Sequence, residues 1–262
     1  MPELHHIAVF GGIYSNYLAL ETAIADANRR GAQALFCLGD VGAFGPHPDR
    51  IFPLLRDHGV QCILGNYDDS IGRWLPDCQC GYTDPRDNHF ARLSYAYTFA
   101  NTSPGNRDWL RALPAQRRIT LENYRLLLCH GSPRQINEFL WESTCSTSFL
   151  AHIAAAHDAD VILTTHTGIK WHRKLPGDKH FVNVGVLGRP ENDGKTNVWY
   201  TLLEARPELR VEFVPVIYDH ERLAREMRAE QLPEEFVATI LTGWWTTCLE
   251  VLPAKERRRG KF

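Results

Sequence analysis

Near the N-terminus, residues 7–40 read IAVFGGIYSNYLALETAIADANRRGAQALFCLGD. The apolar run at residues 7–10 predicts a short buried strand, and residues 34–38 predict a second one. Between them, residues 16–30 carry apolar side chains at helical spacing and end at Gly31, which predicts a helix. A strand, a helix and a strand in this order predict two parallel strands that the helix covers.

A second helix and a third strand continue this alternation. Residues 48–58 have the apolar spacing of a helix, and residues 61–64 form another short apolar run. In open α/β sheets, ligands bind beyond the carboxyl ends of the parallel strands. Gly12, Asp40 and Asn66 fall at three such ends, so the sequence predicts a functional site there.

The second half of the chain predicts more strands and one helix, at residues 147–157. The predicted strands are residues 119–121, 126–128, 161–163 and 181–184, followed by an antiparallel pair at 197–203 and 211–215. Both faces of this last pair are apolar, which predicts that it is buried on both sides. The fold class predicted from these elements is α/β.

The predicted organisation is one large domain with two additions. Residues 1–218 form the domain, and a stretch rich in Asp, Asn, Pro and aromatic residues, roughly 70–113, forms a cap insertion beside the site. Residues 219–262 predict a helical C-terminal extension packed on the same domain, with Asp219 as a helix N-cap.

Composition limits the cellular setting and the partners. The net charge is −2 over 262 residues, so no basic field favours nucleic acid or an anionic membrane. The sequence has no signal peptide and no apolar stretch of membrane-spanning length, which predicts a cytoplasmic protein with reduced thiols. An odd number of cysteines, seven, argues against a disulfide framework. Cys78 and Cys80 form the one close pair, either a metal site or two thiols in a loop.

Four side chains with metal-binding chemistry each follow an apolar run: Asp40, Asn66, His130 and His166. Each alone is common in turns and loops. Together they form a mixed oxygen and nitrogen set, which suits Mn, Fe, Zn, Co or Ni better than Mg or Ca. The sequence therefore predicts a divalent transition metal.

The order of five segments resembles that of the calcineurin-like metallophosphoesterases, most closely their small bacterial and archaeal phosphodiesterase branch. That family reads Asp-x-His, Gly-Asp, Gly-Asn-His-Asp, His-Gly and Gly-His-Thr-His. The resemblance implies a four-layer α/β/β/α sandwich with the site at one edge. The matching segments here are residues 11–16, Gly39-Asp40, Gly65-Asn66-Tyr67-Asp68, His130-Gly131 and Thr165-His166-Thr167-Gly168.

The resemblance also implies roles for these residues. Asp40 matches the carboxylate that bridges two metals, and the other three donors match the remaining ligands of the second metal. The first metal's positions here hold Gly12, Tyr14 and Gly168. We therefore expect a single metal, with a second metal unlikely. Tyr67 stands where the family has its general-acid histidine.

The two tyrosines and several cations have open roles. The tyrosines either bind a metal as tyrosinate or fill the volume that the missing groups leave. Arg134 and the cations after His166 are either solvated loop charges or a clamp that binds phosphate. The predicted substrate-binding residues are Arg134, His172 and Tyr14.

The predicted function is hydrolysis of a phosphomonoester or phosphodiester by a metal-bound hydroxide, with Asn66, Tyr67 and His130 as catalytic residues. The predicted substrate is a phosphorylated small molecule or a nucleotide-like compound, and a homo-oligomer is compatible with the sequence. One alternative is an inactive module that binds an anionic ligand or a protein partner. Another is altered metal chemistry that involves Cys78, Cys80 or His89.

Overall fold

Ten β-strands form two sheets in the computed structural model, which describes residues 3–258. Arg259 and Lys261, at the end of the predicted C-terminal extension, lie outside the described residues. The strands are β1 His6–Phe10, β2 Ala34–Cys37, β3 Gln61–Cys62, β4 Gln116–Leu121, β5 Tyr124–Cys129, β6 Val161–Thr164, β7 Trp171–Leu175, β8 Lys179–Asn183, β9 Val198–Glu204 and β10 Arg210–Val216.

Nine α-helices and one short 3-10 helix, Pro48–Arg50, connect these strands within the described chain. The helices are α1 Tyr17–Arg29, α2 Ile51–Asp57, α3 Asn66–Arg73, α4 Pro85–Ala100, α5 Pro104–Arg111, α6 Thr147–Ala156, α7 His220–Ala229, α8 Glu234–Thr242 and α9 Ala254–Arg257.

The first sheet has the order β10-β9-β1-β2-β3, and the second has the order β4-β5-β6-β8-β7. In the first sheet β1, β2 and β3 are parallel, as the β-α-β alternation predicts. In the second sheet β5, β6 and β8 are parallel. The carboxyl ends of these parallel strands carry the predicted site residues.

The two sheets pack face to face through alternate residues of their strands. Ile7 and Val9 of β1 meet Leu126 and Leu128 of β5 in the core between the sheets. The intervening side chain Phe10 packs instead against the helices outside the first sheet. Because both faces of the central strands are covered, their sequences are continuously apolar rather than alternating.

Helices cover both outer faces and complete four layers. Helices α1, α2, α4, α7 and α8 contribute to the apolar core outside the first sheet. Helix α6 packs on the outer face of the second sheet through Leu150, Ile153 and Ala154. The predicted α/β/β/α sandwich is therefore confirmed.

Three elements differ from the sequence prediction. Helix α3 begins at Asn66 itself, because the Asp68 side chain in its first turn accepts a hydrogen bond from the backbone nitrogen of the N-cap residue Gly65. Strand β7 occupies a stretch that we interpreted as a loop, and it pairs with β8 through Trp171 and Asn183. The prediction that the last pair is buried on both sides is wrong for β10, an edge strand whose exposed residues include Pro215.

One cysteine pair also differs. Cys78 and Cys80 are joined by a disulfide, so the prediction of reduced thiols is wrong for this pair. The remaining cysteines are free: Cys37, Cys62, Cys129, Cys145 and Cys248. Within residues 3–258, no helix combines the length and the apolar character of a membrane span.

The cap and the segment after α8 are tied together by a buried carboxylate. Asp87, in the first turn of α4, accepts hydrogen bonds from the backbone nitrogens of Cys248 and Glu250 at 2.7 and 2.9 Å. In return, Glu250 accepts hydrogen bonds from the backbone nitrogens of Thr83 and Asp84. These reciprocal bonds place the C-terminal segment, residues 243–252, against the cap.

We predict that Asp87→Ala lowers the free energy of unfolding by about 2–4 kcal/mol, because two backbone N–H groups lose a charged acceptor. Hydrogen exchange should lose protection first at Cys248 and Glu250. The matched control is Asp108→Ala, which removes an acid from an exposed ion pair with Arg111 and should cost less than about 1 kcal/mol. Equal effects of the two substitutions would contradict the assigned role of Asp87.

Candidate metal site

Four strand ends bring the predicted donors together in the interior. Asp40 follows β2, Asn66 begins α3 after β3, His130 follows β5, and His166 follows β6. All four side chains are buried. Asp40 and His166 have positive φ angles of 55° and 59°, which turn the chain sharply at the sheet edge. The structure therefore places these four predicted residues in one cluster.

The orientation of His130 is determined by one hydrogen bond. Its Nδ1 lies 2.6 Å from the carbonyl oxygen of Leu38. A carbonyl only accepts, so Nδ1 carries the proton, and in the neutral ring Nε2 presents a lone pair. That Nε2 lies 3.1 Å from Asn66 Oδ1, 3.1 Å from His166 Nδ1 and 3.3 Å from Asp40 Oδ2.

The amide of Asn66 is oriented in a similar way. Its Nδ2 donates to the carbonyl oxygen of Cys78 at 2.8 Å, so its Oδ1 faces His130. Two oxygens and two ring nitrogens thus converge, and all four are hydrogen-bond acceptors. None of them carries a proton that it could donate to the others. A bound cation would satisfy all of them.

The spacing of these atoms fits a metal ion. Neighbouring ligands of a cation bound at about 2.1 Å lie about 3.0–3.4 Å apart, from octahedral to tetrahedral geometry. The measured separations of 3.1–3.3 Å around His130 Nε2 lie in this range. Ligand atoms of Asp40, His130 and His166 all lie within 4.8 Å of one another. These residues could hold a metal.

The electrostatics of the cluster also favour a cation. Burial opposes ionisation of Asp40, but the neighbouring His130 lowers the pKa of this carboxyl below its ordinary value. For His130, burial opposes the charged form, but the Asp40 carboxylate raises its pKa. Burial and then His130 lower the pKa of His166 to about 3, so its ring is neutral at ordinary pH and could bind a metal.

Asp68 positions two of the donors through the backbone. Its carboxylate accepts hydrogen bonds from the backbone nitrogens of Asp40 at 2.7 Å, Val41 at 3.0 Å and Gly65 at 2.9 Å. Burial and the nearby Asp40 raise the pKa of Asp68 to about 7. The sequence signal for this role is an acidic residue, Asp68, three residues after a glycine that precedes a helix.

Asn183, at the end of β8, positions His166. Its Nδ2 donates to the carbonyl oxygen of Thr165 at 2.8 Å and to Thr167 Oγ1 at 2.9 Å. Thr165 and Thr167 flank His166, so these bonds hold the turn that carries its side chain. Sequence reasoning noted the segment around Asn183 but assigned it no role.

Bulky groups occupy the positions that the resemblance assigns to the other metal. A side chain at Gly12 would begin 2.6 Å from the ring of Tyr14. One at Gly168 would begin 2.9 Å from the ring of Trp245 and 3.5 Å from Arg189 Nη2. The space of the missing ligands is therefore filled by two rings and a guanidinium.

A narrow cavity of about 20 Å³, on the scale of one or two water molecules, adjoins the donors. Tyr14 and Tyr67 line it, together with four residues that the sequence analysis did not assign to the site: Tyr82, Phe139, Arg189 and Trp245. Sequence signals for these four are weak, because they come from four segments far apart in the chain.

Both tyrosines are neutral members of this wall. The hydroxyl of Tyr67 donates to Ser94 Oγ of helix α4 at 3.1 Å. Burial raises the pKa of both Tyr14 and Tyr67 above the ordinary value. A phenol with a raised pKa does not supply a tyrosinate ligand at ordinary pH.

The structure does not place the other predicted cations at the cavity. Arg134 pairs with Glu138 near the surface. Strand β7 directs His172 to His180, where the two rings hydrogen-bond at 2.9 Å, and Arg173 donates to backbone carbonyls. The structure therefore does not bring Arg134 and His172 together at the cavity, because Arg134 pairs with Glu138 and strand β7 places His172 beside His180.

The alternative of altered metal chemistry involved Cys78, Cys80 and His89. Of these three residues, only Cys80 lines the cavity. Its Sγ lies 3.5 Å from Asn66 Nδ2, but this sulfur belongs to the disulfide with Cys78. His89 packs edge-to-face on Phe90 and is not part of the cavity wall. In this structure neither sulfur is a free thiolate.

Relatives of this chain come from archaea and bacteria. An uncharacterized protein of Methanocaldococcus jannaschii is 25% identical over 240 residues, which cover 87% of this chain and 94% of that protein. A hypothetical protein from Pyrococcus horikoshii OT3 has the same fold, with a TM-score of 0.76 at 20% identity, covering 92% of this chain and 99% of that one. A metallophosphoesterase from Sphaerobacter thermophilus gives a TM-score of 0.69 at 23% identity, covering 91% and 99%.

The sequence profile of the calcineurin-like phosphoesterases matches residues 5–193. This span is more than half of the chain and contains the metal-donor cluster of Asp40, Asn66, His130 and His166. It also contains every strand that contributes a donor. The protein therefore belongs to the calcineurin-like phosphoesterase family, as the order of its motifs predicts.

Proposed function

We propose that this protein hydrolyses a phosphomonoester or phosphodiester with a single divalent transition metal, held by Asp40, Asn66, His130 and His166. One observation carries this proposal. His130 Nε2 lies 3.1–3.3 Å from three other potential ligand atoms, one each from Asn66, His166 and Asp40. Such a set favours a cation with mixed oxygen and nitrogen ligands, namely Mn, Fe, Zn, Co or Ni.

The count of one metal is supported by what fills the adjoining space. The ring of Tyr14 blocks a side chain at Gly12, and the ring of Trp245 blocks one at Gly168. A second cation would share Asp40 but would have few other ligands to offset its loss of hydration. The proposed enzyme therefore binds no metal at the second site.

When bound, the metal would supply Lewis-acid activation of water and of the phosphoryl oxygens. The chain's own residues orient the site. Leu38 holds the ring of His130, Cys78 holds the amide of Asn66, and Asp68 holds the backbone at Asp40. In this proposal Asn66 and His130 act as ligands that face the reacting group.

Tyr67 and Tyr14 take supporting roles in the proposal. Tyr67 is placed as a wall residue because its hydroxyl is already bound to Ser94 and its pKa is raised by burial. Tyr14 lines the cavity and would contact the substrate through its ring. Arg134 and His172 have no part in the proposed site.

A second candidate function is a non-catalytic module that binds an anion or a partner at the metal. The narrowness of the cavity favours this candidate, because Trp245 and Val251 of the C-terminal segment close it. Under the hydrolase proposal this segment moves when a phosphorylated substrate enters. Turnover distinguishes the two candidates.

We expect purified protein to carry about one transition metal per chain by elemental mass spectrometry, in line with one four-donor set. His166→Ala should reduce this to less than about 0.1 because a ligand is lost. The matched control is His152→Ala on the exposed face of α6, which should retain about one metal. Two metals per wild-type chain, or equal metal content in both variants, would contradict the proposed site.

We expect the metal-loaded protein to hydrolyse p-nitrophenyl phosphate or bis-p-nitrophenyl phosphate. Chelation should abolish the activity, and Asp40→Asn should lower kcat/KM by about 100-fold or more, because metal catalysis contributes several kcal/mol. His152→Ala should stay within about twofold of wild type, since it leaves the site intact. A full complement of metal without turnover on either ester would favour the binding module.

A further inference from the structure

Arg189 is a buried cation without a counter-charge. Its side chain belongs to the segment after β8, and only 7% of the residue is exposed. Within residues 3–258 no carboxylate lies within ion-pair distance of its guanidinium. Its buried Nε has no hydrogen-bond partner in that part of the chain. An unpaired buried charge is costly, so an unsatisfied guanidinium indicates a site for an anion.

Lys170 shows what a purely structural cation looks like in this protein. It is similarly enclosed, but it forms an ion pair with buried Glu191 and lies 3.6 Å from the centre of the Trp199 ring. Among residues 3–258, Arg189 has neighbouring aromatic rings but no carboxylate partner. Its guanidinium carbon lies 3.6 Å from the Trp245 ring centre and 4.9 Å from that of Phe44.

The guanidinium lies beside the metal-donor cavity. Arg189 lines this cavity together with Asp40, Asn66 and His166. Its Nη2 lies 3.5 Å from the point where a side chain at Gly168 would begin. The resemblance assigns that position to a ligand of the other metal, so a fixed positive charge stands where the family would have a second cation.

We propose that the Arg189 guanidinium binds the phosphoryl oxygens of the substrate, in place of the metal whose ligands this chain lacks. This inference rests on the proposed phosphoester substrate. A guanidinium offers a planar fork of N–H donors that matches two oxygens of a phosphate. Unlike a metal, it does not activate water, so the metal held by the four donors retains that task.

The aromatic rings around Arg189 have a defined part in this arrangement. Trp245 donates from its backbone nitrogen to Asn192 Oδ1 at 2.9 Å and from Nε1 to the Pro190 carbonyl at 2.7 Å. It is therefore anchored at two points on the chain directly after Arg189. The ring orients the guanidinium by stacking and leaves its N–H edges for the phosphate.

The test measures inorganic phosphate binding by calorimetry to the metal-loaded full chain. Arg189→Gln should weaken phosphate affinity about 10–100-fold, the size of a lost charge-assisted hydrogen bond, with unchanged metal content. Arg189→Lys should recover part of this loss. The matched control is Arg228→Gln, which removes a surface partner of Glu234 and should leave affinity unchanged. Equal phosphate affinity in Arg189→Gln and wild type would overturn the inference.

A second measurement does not depend on the folding of a variant. Wild-type protein co-crystallised with tungstate should show an anomalous peak with oxyanion oxygens within about 2.9 Å of the Arg189 guanidinium nitrogens. Tungstate bound beside the donor cluster without contact to Arg189 would overturn the inference.

The two proposals fail separately. Ester hydrolysis with unaltered phosphate affinity in Arg189→Gln would remove the role of Arg189 and leave the proposed function standing. Loss of phosphate affinity in this variant, together with no wild-type turnover, would support the anion site and remove the hydrolase.

Discussion

The hydrogen bond from His130 Nδ1 to the carbonyl oxygen of Leu38 joins the two sheets at the site. His130 follows a strand of the second sheet, and Leu38 follows a strand of the first. Because the bond determines which ring nitrogen is protonated, it also leaves Nε2 of the neutral ring available to bind a metal. The chemistry of the metal site therefore depends on how the two sheets are packed.

The packing in turn depends on strands that are apolar on both faces. Ile7 and Val9 pack between the sheets, whereas Ala8 and Phe10 pack against the helices. With both faces buried, the strands have little freedom to slip, since a shift by one residue would exchange the two faces. A core this constrained can hold atoms of Asp40, Asn66 and His166, from three other strand ends, within 3.1–3.3 Å of His130 Nε2.

The two halves of the site differ in their chemistry. The half formed by Asp40, Asn66, His130 and His166 keeps a complete donor set, and its surroundings lower the pKa of Asp40. The other half has exchanged ligands for aromatic rings and the Arg189 guanidinium. A monovalent cation held by stacking needs no dedicated ligands, whereas a divalent metal does. The family match ends at residue 193, and Trp245 lies beyond it.

The local pattern of the sequence was sufficient for the parallel strands and the four candidate donors, and the family resemblance implied the four layers. Strand ends of parallel sheets lie at one edge, so a donor after each apolar run predicts a cluster without knowledge of distant contacts. Helix α3 and strand β7 were missed because their short polar sequences resemble loops. The structure places His172 in β7 beside His180, and it pairs Arg134 with Glu138. Only the tertiary structure placed Arg189 and Trp245 beside the donors. Those contacts join residues far apart in the chain, such as Trp245 and Pro190. The spacing of apolar residues within a segment cannot predict such contacts.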